Sequence, residues 1–109
     1  MDLRETVVIE NIANLLQVKI FDYNAIASKL EYAKKFNEQN TSKTFKLLSE
    51  KLVEKKTIIN TCIEAFTYCG YDVEIGNKNG ILFLVDVKVS SSHDILINYV
   101  CLQDMVDNL

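Results

Sequence analysis

Apolar positions in the chain recur first with the period of an α-helix and later with that of a β-strand. Between Thr41 and Gly70 they fall at alternating steps of three and four, interrupted only by Lys55 and Lys56, which places them on one helical face. These positions are Phe45, Leu48, Leu52, Ile59, Cys62 and Phe66. Side-chain oxygens at Asn40, Thr41 and Ser42 can cap the start, and Gly70 can close the end in the left-handed conformation. The pattern predicts one helix of roughly 28 residues, about 42 Å long.

The first forty residues predict two further helices. One begins at Asp2, where Glu5 completes a capping-box arrangement, and runs to about Lys19. Its apolar positions are Leu3, Val7, Val8, Ile12, Leu15 and Leu16. Asp22 is the predicted cap of the next helix, which extends to Phe36. Its apolar positions are Tyr23, Ile26, Ala27, Leu30 and Ala33. We expect these two helices to lie antiparallel and to cover the long third helix.

After Gly70 the period changes to two, and Asn79-Gly80 marks the turn of a β-hairpin whose second strand covers residues 81–89. A two-residue turn would pair residue 78 with 81, whereas a three-residue turn with a left-handed Gly80 in a bulge would pair 77 with 81. We favour the second register because it gathers the apolar side chains on one buried face, although it sets Asp72 opposite Asp86, with Lys88 on the diagonal. That face would contain Tyr71, Val73, Ile75, Ile81, Phe83, Val85, Val87 and Val89.

The end of the chain is open to two interpretations. Residues 95–101 are almost all apolar and fit either a third strand or the start of a helix capped by Ser91 or Ser92. The helix is favoured because Leu102, Met105 and Val106 continue it with helical spacing. The sequence therefore predicts an α+β fold, with three N-terminal helices of which the third is long, a β-hairpin and a C-terminal helix. We expect residues 1–109 to form one small globular domain.

Composition narrows the setting in which the protein works. No apolar run reaches the length of a membrane span, and residues 1–5 lack the basic and apolar regions of a signal peptide. The three cysteines do not suit a secreted disulfide framework, so we expect reduced thiols. These features predict a cytoplasmic protein, or one delivered into a host cell, that does not associate with membranes.

Residues that could carry chemistry are few. Ser92, His93 and Asp94 include the residue types of a hydrolytic triad, but adjacent residues cannot adopt its geometry, and helix capping explains them better. Cys62 and Cys69 would lie about 10.5 Å apart along one helix, too far to share a zinc ion. We therefore expect no catalytic residues, no metal site and no cofactor.

Charge is distributed unevenly along the chain. Residues 29–56 contain eight lysines and four glutamates, a net charge of +4, whereas residues 57–109 contain two lysines and seven acidic residues, a net charge of -5. Six lysines form the candidate binding surface: Lys35, Lys43, Lys46, Lys51, Lys55 and Lys56. They can contact nucleic acid or an acidic protein, or they can form a solvated face diluted by nearby glutamates.

Small size, uneven charge and the lack of catalytic residues predict a non-enzymatic protein-interaction module. It would serve as a small subunit or adaptor of a larger complex, with complexes that handle nucleic acid as one class. The alternative is a small inhibitor or immunity protein that blocks an enzyme through an acidic surface. Pairing with a second copy, through the long helix or a hairpin edge, is a further expectation.

Overall fold

The computed structural model describes residues 3–36, 41–90 and 95–108. The chain forms two long helices, a two-stranded antiparallel hairpin and a shorter helix. These are α1 (Leu3–Phe36), α2 (Thr41–Tyr68), β1 (Tyr71–Lys78), β2 (Ile81–Val89) and α3 (Ile95–Asp107). The mixed α+β class, the hairpin and the C-terminal helix are confirmed, and residues 95–101 are helical. The predicted caps at Asp2, Asn40, Ser91 and Ser92 lie outside the described residues.

The predicted boundary at Asp22 is wrong, because the first two predicted helices form the single 34-residue helix α1. Asp22 is half-buried inside this helix and does not start one. No glycine or proline lies within α1, and an aspartate in a helix interior costs less than about 1 kcal/mol. Leu16, Ile20, Ala27 and Leu30 are buried on both sides of Asp22. Burial of this uninterrupted apolar face therefore outweighs the weak capping signal.

Helix α2 has the predicted length, and its predicted apolar face is the one that packs toward the core. Ile59, Cys62 and Phe66 are completely buried. Its end is closed by Gly70, which has a φ of 92° and donates its N–H to the carbonyl oxygen of Thr67 at 3.1 Å. The predicted left-handed glycine at the helix end is confirmed, since a φ near 90° strains a residue that carries a Cβ.

The turn of the hairpin contradicts the favoured register. Lys78 lies opposite Ile81, and Asn79 and Gly80 form a two-residue turn with φ values of 56° and 85°. Positive φ at both central residues matches the twist of the flanking strands and is typical of Asn-Gly turns. The Asn77 side chain also accepts a hydrogen bond from the Gly80 N–H at 3.0 Å. The two-residue alternative is therefore the correct one at this end.

A bulge then shifts the pairing by one residue. Ile75 lies opposite Leu84 and Glu74 opposite Asp86, so Val85 is the extra residue of β2. Because side chains alternate between faces, the bulge lets both halves of β2 bury apolar side chains on the same side. Those side chains are Leu82, Leu84, Val87 and Val89, whereas Ile81, Phe83 and Val85 are exposed. The expectation that all three of the latter are buried is wrong.

The core lies between the helix pair and the hairpin. Ile12, Leu16 and Phe66 belong to a cluster that also contains Tyr71 and Leu102, the latter from α3. A second cluster around Ile20, Ile59 and Leu82 follows it along the helices. The molecule measures 56 × 25 × 16 Å between Cα extremes, and its radius of gyration is 16.6 Å. A compact chain of this length would have a radius of gyration of about 13 Å, so the structure is elongated and thin.

Asn24, in the middle of α1, holds the free edge of β2. Its side-chain amide donates to the Leu82 carbonyl oxygen at 2.8 Å, and its side-chain oxygen accepts from the Leu82 N–H at 2.9 Å. This pair of bonds replaces the contacts that a neighbouring strand would make. Asn24 thereby fixes the hairpin against α1.

We expect Asn24→Ala to lower the free energy of unfolding by about 1–3 kcal/mol, because both partly buried backbone groups of Leu82 would lose their partner. Chemical denaturation measures this change. Asn60→Ala, at an exposed position of α2, is the matched control and should change stability by no more than about 0.5 kcal/mol. Equal effects of the two substitutions would contradict a structural role for the Asn24 amide.

Gly76 in β1 lies beneath the ring of its cross-strand neighbour Phe83. A Cβ at residue 76 would overlap three carbons of that ring, which is half-exposed and can rotate away. We expect Gly76→Ala to destabilise the protein by about 0.5–1.5 kcal/mol, the cost of displacing the ring from its rotamer. In a Phe83→Ala background the same change should be nearly neutral. A double-mutant cycle measures this coupling, and additive effects would show that the ring does not constrain residue 76.

Candidate interaction surfaces

The hairpin turns a partly apolar, partly acidic surface away from the helices. We call it the outer hairpin face and define it by Ile81, Phe83, Val85, Asp72, Glu74 and Asp86. Its three apolar side chains are 37%, 46% and 50% exposed in that order. The two-residue turn and the bulge together place them there, since they direct the alternate leucines to the core. Near the turn, the Phe83 ring packs on the Gly76 backbone.

The other half of the outer hairpin face is acidic. Glu74 lies directly opposite Asp86, and Asp72 lies opposite Lys88. The predicted pairing of Asp72 with Asp86 is therefore wrong, and the like-charge pair of the hairpin is Glu74 with Asp86. Lys88 Nζ lies 3.4 Å from Asp86, and both side chains are largely exposed, so the ion pair contributes less than about 1 kcal/mol. Three carboxylates thus share this end of the hairpin with one lysine.

The six candidate lysines occupy the last turn of α1 and the first half of α2. Lys35, Lys43, Lys46 and Lys51 are exposed, whereas Lys55 and Lys56 are half-buried. At 3.6 residues per turn, Lys43 and Lys46 point to one side of α2 and Lys51 and Lys55 to another. Lys56 Nζ lies 5.9 Å from the centre of the Tyr23 ring and contacts α1. The lysines therefore do not line up as one stripe, and whether they bind a partner stays a prediction.

Antiparallel packing of α1 and α2 separates the charges in space. Tyr23 contacts Lys56, and Leu30 and Leu52 line the same cleft, so the end of α1 lies beside the start of α2. The described parts of the basic segment, residues 29–36 and 41–56, therefore lie toward one end of the long axis. The acidic residues of the hairpin base and α3 lie toward the other end, where Leu102 and Tyr71 join the first residues of α1 in the core. The elongated molecule thus has a basic end and an acidic end.

The residues that the sequence offered for chemistry lie partly outside the described part of the chain. Ser92, His93 and Asp94 lie outside the described residues. Among the residues that the structure does describe, no three histidine, cysteine, aspartate or glutamate side chains come together in a way that could hold a metal ion. A cleft at the hairpin tip, between Tyr23, Leu52 and Gly80, has a volume of about 130 Å³. Small-molecule sites usually enclose about 300–1,000 Å³, so this cleft is smaller than a typical ligand pocket.

No protein-family model matches the chain, and comparisons with curated proteins and with solved structures likewise found no match. None of the described helices has both the length and the apolar character needed to cross a membrane.

Sequence reasoning missed the outer hairpin face because the favoured register buried its apolar residues. The Asn79-Gly80 pair was the signal that could have revealed it, since this dipeptide is the strongest indicator of a two-residue turn. The bulge at Val85 has no comparable signal in β2, which contains no glycine.

The three thiols differ in environment, and their reactivity should follow it. Burial raises the pKa of the Cys62 thiol, an effect that Lys19 partly opposes. Burial, followed by the neighbouring Cys101, raises the pKa of the Cys69 thiol. A raised pKa leaves less thiolate at a given pH and slows alkylation.

Cys101 is exposed, Cys69 is half-buried and Cys62 is buried. At mildly alkaline pH, we therefore expect iodoacetamide to modify Cys101 first, Cys69 more slowly and Cys62 only when the protein unfolds. Peptide mass spectrometry over time measures the order, and denatured protein is the control in which all three should react alike. Rapid modification of Cys62 in the native protein would contradict its buried position.

Proposed function

We propose that the protein is a non-enzymatic interaction module that binds a partner protein through the outer hairpin face. The observation that supports this most directly is the exposure of Ile81, Phe83 and Val85 side by side on an ordered strand. Contiguous exposed apolar side chains beside polar residues are typical of protein-binding surfaces. The strand is held at its edge by Asn24, so the surface loses little conformational freedom on binding.

The charges on the outer hairpin face indicate which charges the partner surface should carry. Glu74 and Asp86 lie opposite each other, an arrangement that destabilises an isolated hairpin. A cationic group of the partner would relieve this repulsion when it binds. The expected partner surface therefore combines apolar side chains, which cover Phe83 and Val85, with lysine or arginine side chains near Glu74 and Asp86.

A protein partner fits these features better than nucleic acid does. Five of the six lysines point to several sides of α2 and offer a phosphate backbone no continuous track. On the outer hairpin face, the three carboxylates outnumber the two lysines of the same side, Lys78 and Lys88. Because the proposed role involves no catalysis, we propose that the protein acts as a small subunit or adaptor of a larger complex. This proposal includes an adaptor within a complex that handles nucleic acid. In such a complex the lysine-bearing end would face the nucleic acid.

An inhibitor or immunity protein is the second candidate. The same opposed carboxylates favour it, because a cluster of Asp72, Glu74 and Asp86 can occupy a basic enzyme cleft. The two roles differ in what binding does to the partner: an adaptor leaves the partner active, whereas an inhibitor blocks it.

The test is an affinity purification from the native source with three baits: the unchanged protein, Phe83→Lys and Val53→Lys. Phe83→Lys removes the central apolar contact and adds a positive charge beside the acidic residues, while the aliphatic stem of the lysine can still cover Gly76. Val53 is 67% exposed on α2 and serves as the matched control. We expect a specific partner to be retained by the unchanged protein and by Val53→Lys, and to be lost at least roughly tenfold with Phe83→Lys.

Nuclease treatment of parallel samples separates direct partners from those bridged by nucleic acid. Circular dichroism melting should first show that all three baits are folded. Equal recovery of every specific partner with the Phe83→Lys bait would overturn the proposed interface. Once a partner is identified, its activity with and without the protein distinguishes the adaptor from the inhibitor.

A further inference from the structure

Helix α1 carries a second stripe, of five apolar and three small polar side chains, on the side away from the core. Starting at Val7 it advances by alternating steps of four and three residues, the spacing of a coiled-coil seam. The stripe, which we call the α1 stripe, consists of Val7, Asn11, Asn14, Val18, Phe21, Ala25, Ser28 and Tyr32. Helix geometry places it nearly opposite Ile12 and Leu16, which are completely buried. Val18 and Phe21 at its centre are 58% and 72% exposed.

The thin shape of the molecule explains why this stripe is uncovered. Between Cα extremes the shortest dimension is 16 Å, which accommodates the helix pair and the hairpin as two layers. The described residues provide no third layer over the outward side of α1, so Phe21 faces solvent.

We infer that a second copy of the chain covers the α1 stripe, with the two α1 helices antiparallel about a two-fold axis between Val18 and Phe21. This arrangement sets Val18 of one copy against Phe21 of the other. It also sets Val7 against Tyr32, Asn11 against Ser28, and Asn14 against Ala25. Apolar side chains thus meet apolar ones at the centre and at both ends. Polar side chains meet in the Asn11 and Ser28 layer, which can fix the register.

The distribution of charge along α1 favours a second copy of the chain as the partner and an antiparallel arrangement of the two helices. The last eight residues of α1, 29–36, contain three lysines and one glutamate, a net charge of +2, whereas the first eight, 3–10, contain one arginine and two glutamates, a net charge of -1. Antiparallel pairing lays the basic end of each α1 beside the acidic end of the other. Parallel pairing would instead bring like charges together at both ends of the helix pair. The chain is therefore complementary to itself in only one of the two directions.

The available surface is large enough for a stable dimer. A standard interface removes about 800 Å² from each partner. That is about a tenth of the chain's accessible surface of 7456 Å². Helix α1, with 34 residues, is about 51 Å long and can supply this area with its stripe and flanking residues. The inference concerns a different side of the molecule from the outer hairpin face and does not depend on the proposed function.

Sedimentation equilibrium at micromolar concentrations tests the inference. We expect the unchanged protein to have twice the monomer mass of 12.5 kDa. Phe21→Glu should weaken dimerisation by roughly 30-fold or more, because it buries a charge at the centre of the seam. Val53→Glu, which changes an equally exposed side chain on α2, should leave the dimer intact. A monomeric unchanged protein, or a Phe21→Glu variant that dimerises normally, would overturn the inference.

Disulfide cross-linking tests the direction. Val7→Cys and Tyr32→Cys are each introduced into a Cys69→Ser, Cys101→Ser background, which retains only the buried Cys62. In the antiparallel dimer the two Val7 positions lie about 37 Å apart. Each variant alone should therefore stay uncross-linked under mild oxidation, whereas an equimolar mixture should form a mixed disulfide dimer. Cross-linking of each variant with itself, or none in the mixture, would overturn the antiparallel arrangement.

Discussion

Burial of the continuous apolar face of α1 is the constraint on which the rest of the structure depends. Helices α2 and α3 and strand β2 all pack against this helix. Val8, Ile12, Leu16 and Ile20 form the buried surface that joins the two core clusters along its length. Because the face continues past residue 22, a helix break there would expose apolar area on both sides of it. Burial of apolar area contributes about 25 cal/mol per Å² to the free energy of folding, and over this face the total exceeds the contribution of one capping carboxylate.

The hairpin shows how the same constraint acts on a strand. Strand β2 must place apolar side chains against α1 along its whole length, yet its turn starts the alternation with Leu82 and its far end requires Val87. These two residues are an odd number of positions apart, so a regular strand would put them on opposite faces. The bulge at Val85 removes the conflict. Its consequence is a strand whose outer side carries Phe83 and Val85.

The two proposed surfaces lie on different elements and have different chemistry. The outer hairpin face combines exposed apolar side chains with three carboxylates, which suits a partner of opposite charge. The α1 stripe is apolar at its centre and polar on both sides of it, which suits a helix of the same sequence. If both surfaces are used, each dimer presents two copies of the outer hairpin face. Such an assembly would bind two partner molecules, and paired sites increase the effective affinity for a partner that is itself multivalent.

The sequence by itself determined the elements whose signals are local. The three-and-four spacing of Phe45 to Phe66 and the glycine at residue 70 predicted α2 with its buried face and its end. The change to a period of two, followed by Asn79-Gly80, located the hairpin. The uneven charge was also readable directly, as was the absence of a recognisable catalytic motif.

Only the tertiary structure decided the continuity of α1, the bulge in β2 and the side of β2 that faces solvent. Each depends on contacts between residues far apart in the chain, such as Asn24 with Leu82. A local cap or turn signal contributes about 1 kcal/mol, whereas a buried face shared between elements contributes several times more. At Asp22 the shared buried face prevailed over the local cap, whereas at the hairpin the Asn79-Gly80 turn kept its own register and the bulge at Val85 restored the buried face. The same packing determined which residues of the outer hairpin face are exposed.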